Sequence, residues 1–314
     1  MKLAKTTAFA FGLATALSSG AFAADAGSCK EVTFSDVGWT DITATTATAS
    51  VVLEALGYEP STEILSVPVT YASLKSGDID VFLGNWMPTM EADIAPYRED
   101  GSVVTLVTNL EGAKYTLAVP KYTFEKGLQS FADIAKFKDQ LDGKIYGIEA
   151  GNDGNRLILD MIAGDKFGLA GFEVVESSEA GMLSAVKKAA GSKEDIVFLG
   201  WEPHPMNANV EMAYLSGGDD VFGPNYGGAT VHTNVRKGLV EECPNLGKLL
   251  GNLVFSLKME NEIMGAILDE GKDPADAATA WLKGNPDALG PWLDGVTTLD
   301  GGDAMAAVKS SLGI

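Results

Sequence analysis

The sequence predicts an α/β fold of two lobes built on largely parallel sheets. Three observations predict it. Short β-type runs alternate with helix-type runs over most of the chain. A length of 314 residues exceeds what one hydrophobic core usually serves. A segment also echoes itself: Asp80-Val81-Phe82-Leu83-Gly84-Asn85-Trp86-Met87-Pro88 resembles Ile196-Val197-Phe198-Leu199-Gly200-Trp201-Glu202-Pro203, so two separate strands each lead into a Gly, a Trp and a Pro.

From the N-terminus, Lys2 and Lys5 precede an apolar stretch over 8–17 and the small-x-small pattern Ala21-Phe22-Ala23, which reads as a secretory signal peptide over residues 1–23. That stretch is shorter than the roughly 20 residues of a membrane span. No later run is long and uninterrupted enough to be one, so the mature chain is expected to be soluble. Removing Lys2 and Lys5 from 23 basic residues leaves 21 against 43 acidic ones, a net charge of −22. So acidic a surface repels nucleic acid and anionic lipid, and is compatible with a cationic ligand.

Two cysteines remain, Cys29 and Cys243. An even count in an exported chain points to one disulfide, with two buried thiols as the alternative.

The β-type runs lie at 31–35, 63–67, 79–83, 103–108, 115–119, 144–149, 173–177 and 195–199. Helix-type runs lie between them at 42–56, ended by Gly57, after Pro68, and at 131–138, 155–161 and 179–189. From Pro244 onward the chain reads as mostly helical. This order suggests one lobe from residues 24–114 with 215–314 and a second from 115–214, with crossovers near 115–120 and 214–218 as the hinge. A bond from Cys243 to Cys29 would fit the return of the chain to the first lobe.

Ligands of open α/β sheets bind outside the carboxyl ends of the strands. Trp39, Trp86 and Trp201 each stand where the chain leaves a strand, whereas Trp281 and Trp292 sit in the helical tail beside Leu282 and Leu293 and read as packing residues. Aromatic faces carry negative quadrupole potential and attract a cation by roughly 0.5–2 kcal/mol each. A trimethylammonium group suits such a box because it has no N–H to leave unpaired.

One tryptophan alone would read as core; three in matching positions favour a box, with Tyr115 as a fourth wall. Asp41, two residues after Trp39, reads as a helix N-cap or as a carboxylate that offsets a cation and accepts a hydroxyl. Asn152, in Gly151-Asn152-Asp153-Gly154-Asn155, reads equally as a turn residue or as a cleft group.

Catalytic patterns are scarce. His204 and His232 lie in no metal-ligand spacing, and there is no G-x-S-x-G elbow or P-loop, so neither an enzyme nor a cofactor is expected.

At Ser35-Asp36-Val37-Gly38-Trp39-Thr40-Asp41, Phe82-Leu83-Gly84-Asn85-Trp86-Met87-Pro88, Lys114-Tyr115, Gly151-Asn152-Asp153-Gly154 and Phe198-Leu199-Gly200-Trp201-Glu202-Pro203, the chain resembles the choline- and glycine-betaine-binding periplasmic proteins of ABC transporters. The resemblance covers essentially the whole mature chain. It implies a two-lobed type II periplasmic binding fold with a two-strand hinge, and a quaternary ammonium boxed by Trp39, Trp86, Tyr115 and Trp201. A choline hydroxyl would be held by Asp41 and Asn152, and Cys29 would pair with Cys243. It further implies a periplasmic monomer that delivers choline, and acetylcholine or betaines more weakly, to an inner-membrane permease.

The nearest alternative is a glycine betaine or proline betaine binder, against which Asp41 speaks, because it would repel the ligand carboxylate. A secreted choline-ester hydrolase is a further alternative that lacks a nucleophile and base.

Overall fold

The computed structural model describes residues 25–314, and the signal peptide read over residues 1–23 lies outside them. Nine strands form one sheet: β1 (Glu31–Asp36), β2 (Glu59–Ile64), β3 (Val81–Met87), β4 (Val103–Pro120), β5 (Lys144–Tyr146), β6 (Glu173–Val175), β7 (Phe198–Glu202), β8 (Met212–Tyr214) and β9 (Gly228–Arg236). Their order is β2-β1-β3-β9-β4-β7-β5-β6, with β8 added on β4.

Strand direction divides this sheet. At one end β2, β1 and β3 are parallel, at the other β7, β5 and β6 are parallel, and the pairs between them are antiparallel. The sheet is therefore less parallel than the alternation of runs implies. Helices α1 (Thr40–Ala55), α2 (Val67–Ser76) and α3 (Glu91–Glu99) belong to the first end, and α4 (Asp153–Ala163) and α5 (Glu179–Ser192) to the second. The result is a mixed α/β fold of two lobes.

The two runs expected at 103–108 and 115–119 are one continuous strand. Along β4, residues Val103 to Lys114 pair with β9, and Lys114 to Ala118 pair with β7. Lys114 is matched to both Gly228 and Glu202, so the strand hands its pairing from one lobe to the other just before Tyr115. The chain returns between β8 and β9. There Gly227, at φ +72°, packs so tightly on Tyr115 that a Cβ would lie 2.1 Å from the Tyr115 carbonyl oxygen.

β2 is displaced toward the N-terminus from the expected 63–67, because it is an edge strand with almost every residue exposed and carries no apolar alternation. β8 and β9 were not foreseen. β8 has only three residues, and β9 places Thr, His and Asn among its alternating apolar positions.

Each lobe has its own buried centre, Phe34, Leu53, Tyr71 and Phe82 in the first and Phe131, Ile145 and Phe198 in the second. Helices Leu257–Leu268 and Pro274–Gly284 pack on α1, which returns the C-terminal part to the first lobe. Cys29 and Cys243 are bonded, as the even cysteine count suggests, with Cα atoms 5.7 Å apart. Among the described residues no helix is long and apolar enough to cross a membrane.

Candidate functional site

Between the two lobes lies a small cavity lined by Trp39, Asp41, Trp86, Tyr115, Ile148, Asn152, Asp153 and Trp201. All six residues singled out from the sequence border it. Ile148 and Asp153 are additional.

Sheet register builds the aromatic part. Tyr115 on β4 is directly opposite Trp201 on β7, and directly opposed residues of an antiparallel pair project to the same face. Their rings are 6.3 Å apart and nearly perpendicular, at 82°. Trp86 stands 6.0 Å from Tyr115, tilted by 60°. Trp86 and Trp201 lie within β3 and β7 rather than beyond their ends as expected, because both strands run on past their Gly. Phe222 backs Tyr115 edge-on at 5.9 Å.

Trp39 and Asp41 come from the start of α1. Trp39 occupies the N-cap position without a side-chain capping bond, and Asp41 lies inside the first turn, so its carboxylate is not the N-cap read from the sequence. The cap comes from the other lobe. Glu179 of α5 accepts the Thr40 backbone N–H (2.9 Å) and the Thr40 hydroxyl (2.5 Å). Its Oε1 also lies 3.2 Å from His204 Nε2, and the His204 ring meets the Trp201 ring at 4.9 Å.

With the helix end satisfied from outside, Asp41 is free for the cavity. Its Oδ2 accepts the Trp86 indole N–H at 3.1 Å, and its Oδ1 is buried without a partner. Burial, and then the negative charge of Glu179, push its carboxyl up to about 8 despite the Trp86 bond.

Asn152 is both things the sequence left open. It caps α4 by accepting the Asn155 N–H (3.0 Å), and it accepts the Tyr115 hydroxyl (2.9 Å) at the cavity wall. Gly154 makes this possible, since a Cβ there would fall 2.1 Å from the Tyr115 hydroxyl oxygen.

The lobes meet in further polar contacts around the cavity. Trp39 donates its indole N–H to Glu149 (2.9 Å), and Arg156 of α4 donates to the Thr89 carbonyl (3.1 Å) and the Asp93 carboxylate (2.7 Å). Glu179, Arg156 and Asp153, in the first turns of helices, and Glu149, in the bend after β5, carry no signal in a single sequence, because charged residues at such places usually face solvent. Trp281 and Trp292 lie outside the cavity. Trp292 is buried against Phe255, and Trp281 bonds Glu262.

Four aromatic rings with two buried carboxylates form an environment for a compact organic cation. The rings supply negative potential without needing hydrogen-bond donors, and the carboxylates supply countercharge.

Residues 30–284 match the family described as the substrate binding domain of the ABC-type glycine betaine transport system. The chain is similar to an ABC-transporter choline binding protein solved in complex with choline, at 69% identity over 92% of this chain and 100% of that one, with a TM-score of 0.91. The unliganded semi-closed form of an ABC-transporter choline binding protein matches with a TM-score of 0.85 at 70% identity, over 91% of this chain and 100% of that one. A glycine betaine/carnitine transport binding protein of Listeria monocytogenes, GbuC, is 34% identical over 52% of this chain and 53% of its own length.

Proposed function

Because the chain belongs to the family of substrate-binding domains of ABC-type glycine betaine transport systems, we propose that its interlobe cavity captures choline and presents it to a membrane permease. The family consists of transport binding proteins rather than enzymes, which removes the choline-ester hydrolase from consideration. Such proteins act outside the cytoplasmic membrane, in a periplasmic or extracellular location, and work with a permease. In this reading residues 1–23 are a cleaved signal peptide, the mature chain is a periplasmic monomer, and residues 24–114 with 215–314 move against residues 115–214.

Trimethylammonium is enclosed by Trp39, Trp86, Tyr115 and Trp201, and the choline hydroxyl is held by Asp41 and Asn152. The observation that carries choline rather than a betaine is the unpartnered Asp41 Oδ1. An acceptor without a donor suits a hydroxyl. With Asp41 ionised by the bound cation, the carboxylate of a betaine would face repulsion at the same place. Since Trp39, Trp86 and Asp41 come from one lobe and Asn152 and Trp201 from the other, a bound cation favours the closed arrangement, the state a permease reads.

Intrinsic tryptophan fluorescence titrated with choline, acetylcholine, glycine betaine and proline betaine tests the reading. Choline binds most tightly if it holds. Equal or tighter binding of glycine betaine would overturn the choline assignment.

A further inference from the structure

Three buried side-chain atoms among the described residues have no hydrogen-bond partner: Thr46 Oγ1, Asp41 Oδ1 and Asp153 Oδ2. Two of the three belong to carboxylates that border the same cavity. The choline hydroxyl accounts for Asp41. It does not account for Asp153, which is fully buried, and choline has no second donor.

Asp153 Oδ2 accepts no hydrogen bond, and the polar side chains beside it have other partners. Asn152 Nδ2 donates to the other oxygen, Oδ1, at 3.2 Å, and the Tyr115 hydroxyl goes to Asn152. The Arg156 guanidinium is held by Asp93 and the Thr89 carbonyl, and the Thr89 hydroxyl, which donates to the Trp86 carbonyl at 3.3 Å, lies near enough to Asp153 to favour its ionised form. A buried carboxylate oxygen left in this state is costly unless a positive charge comes to it. The trimethylammonium group supplies charge without a donor, which complements an oxygen left without a hydrogen-bond partner.

We propose that Asp153 is a specificity-determining residue of this cavity, a counter-ion that makes it select for the ligand's positive charge and not only for its shape. The inference rests on reading the cavity as a choline site. Asp41 and Asn152 then read the hydroxyl end, the rings read size and charge, and Asp153 adds a carboxylate from the second lobe that the bound cation holds ionised. A zwitterion, whose own carboxylate partly cancels its cation, gains less from it.

The test compares choline with its neutral carbon isostere, in which a tert-butyl group replaces trimethylammonium, on wild type, Asp153→Asn and Asp153→Ser by titration calorimetry. Both variants are neutral, and serine is well tolerated at a helix start. Choline binding weakens about tenfold in each variant while the isostere changes by less than about twofold, because only the ligand's charge is at stake. Isostere binding also reports that the variant is folded.

Equal weakening of both ligands would make Asp153 a packing residue, and unchanged choline binding would make it a bystander; either overturns the inference alone. Failure of the wild type to bind choline would overturn the choline reading and this inference with it.

Discussion

The Trp86 indole N–H donates to Asp41 Oδ2 at 3.1 Å, so one wall of the cavity orients the carboxylate whose Oδ1 remains available. Asp41→Ala therefore removes the partner of Trp86 and, in the proposed reading, the acceptor for the choline hydroxyl. A lost hydrogen bond to a charged group corresponds to about 1.5–3 kcal/mol, or roughly 10- to 150-fold in affinity. Fluorescence titration should show choline losing that much and glycine betaine losing less. Equal losses for the two ligands would contradict the assigned role.

Gly154→Ala places a methyl group where the Tyr115 hydroxyl lies. Alanine improves helix propensity by about 1 kcal/mol, so α4 itself does not suffer. Tyr115 must shift, its bond to Asn152 breaks, and choline affinity falls by about a hundredfold with a thermal midpoint near wild type. Normal binding by this variant would mean that the Tyr115 position is not critical.

Choline affinity should rise with pH. Burial pushes Asp153 up to about 7, and burial with the charge of Glu179 pushes Asp41 up to about 8, both from an ordinary 3.8. In the fold these groups keep their protons where the unfolded chain has lost them. Their contribution to stability is thus fully present below about pH 4 and is lost as pH rises through 7 to 8. A cation favours the ionised forms, so binding releases protons, and affinity climbs between about pH 6 and 8 and then levels. Calorimetry at pH 7 in two buffers of different ionisation enthalpy measures the release. An affinity flat across that window would count against it.

Glu179 caps α1 from the opposite lobe through Thr40 and also contacts His204. Glu179→Ala leaves the start of α1 without that cap and removes one tie across the cleft. The closed state should weaken, with choline dissociating about tenfold faster while association changes little. Stopped-flow fluorescence separates the two rates, and small-angle scattering should show less compaction on adding choline. An unchanged dissociation rate would show that Glu179 does not hold the cleft.

The Cys29–Cys243 bond spans 214 residues of sequence. Reducing it frees a long loop in the unfolded chain and should lower unfolding free energy by about 5 kcal/mol in the chain-entropy model. Denaturant titration with and without reductant checks this. A difference under about 1 kcal/mol would place the stabilisation elsewhere.

Much of the site was legible because it sits in segments with distinct local signals. Trp39, Trp86 and Trp201 stand out as aromatics at repeated strand–Gly positions, and Asn152 lies in a Gly-rich turn. Those signals concern residue type and spacing, which survive without coordinates. Glu179 and Asp153 were not legible. Each is an acid in the first turn of a helix, a place where acids are common on solvated surfaces, and only the closing of one lobe on the other buries them.

By itself the sequence determined the α/β class, which depends on periodicity; the even cysteine count pointed to a disulfide, and the family resemblance implied its pairing and the six residues that border the cavity. Tertiary structure decided the rest. It merged residues 103–120 into one strand shared by the lobes, since pairing with β9 and β7 satisfies the backbone between the two runs. It also moved the cap of α1 to Glu179, and that change turns Asp41 from the helix cap its position suggested into a free carboxylate of the cavity. Hydrogen-bond partners far apart in sequence made that difference, and no local pattern encodes them.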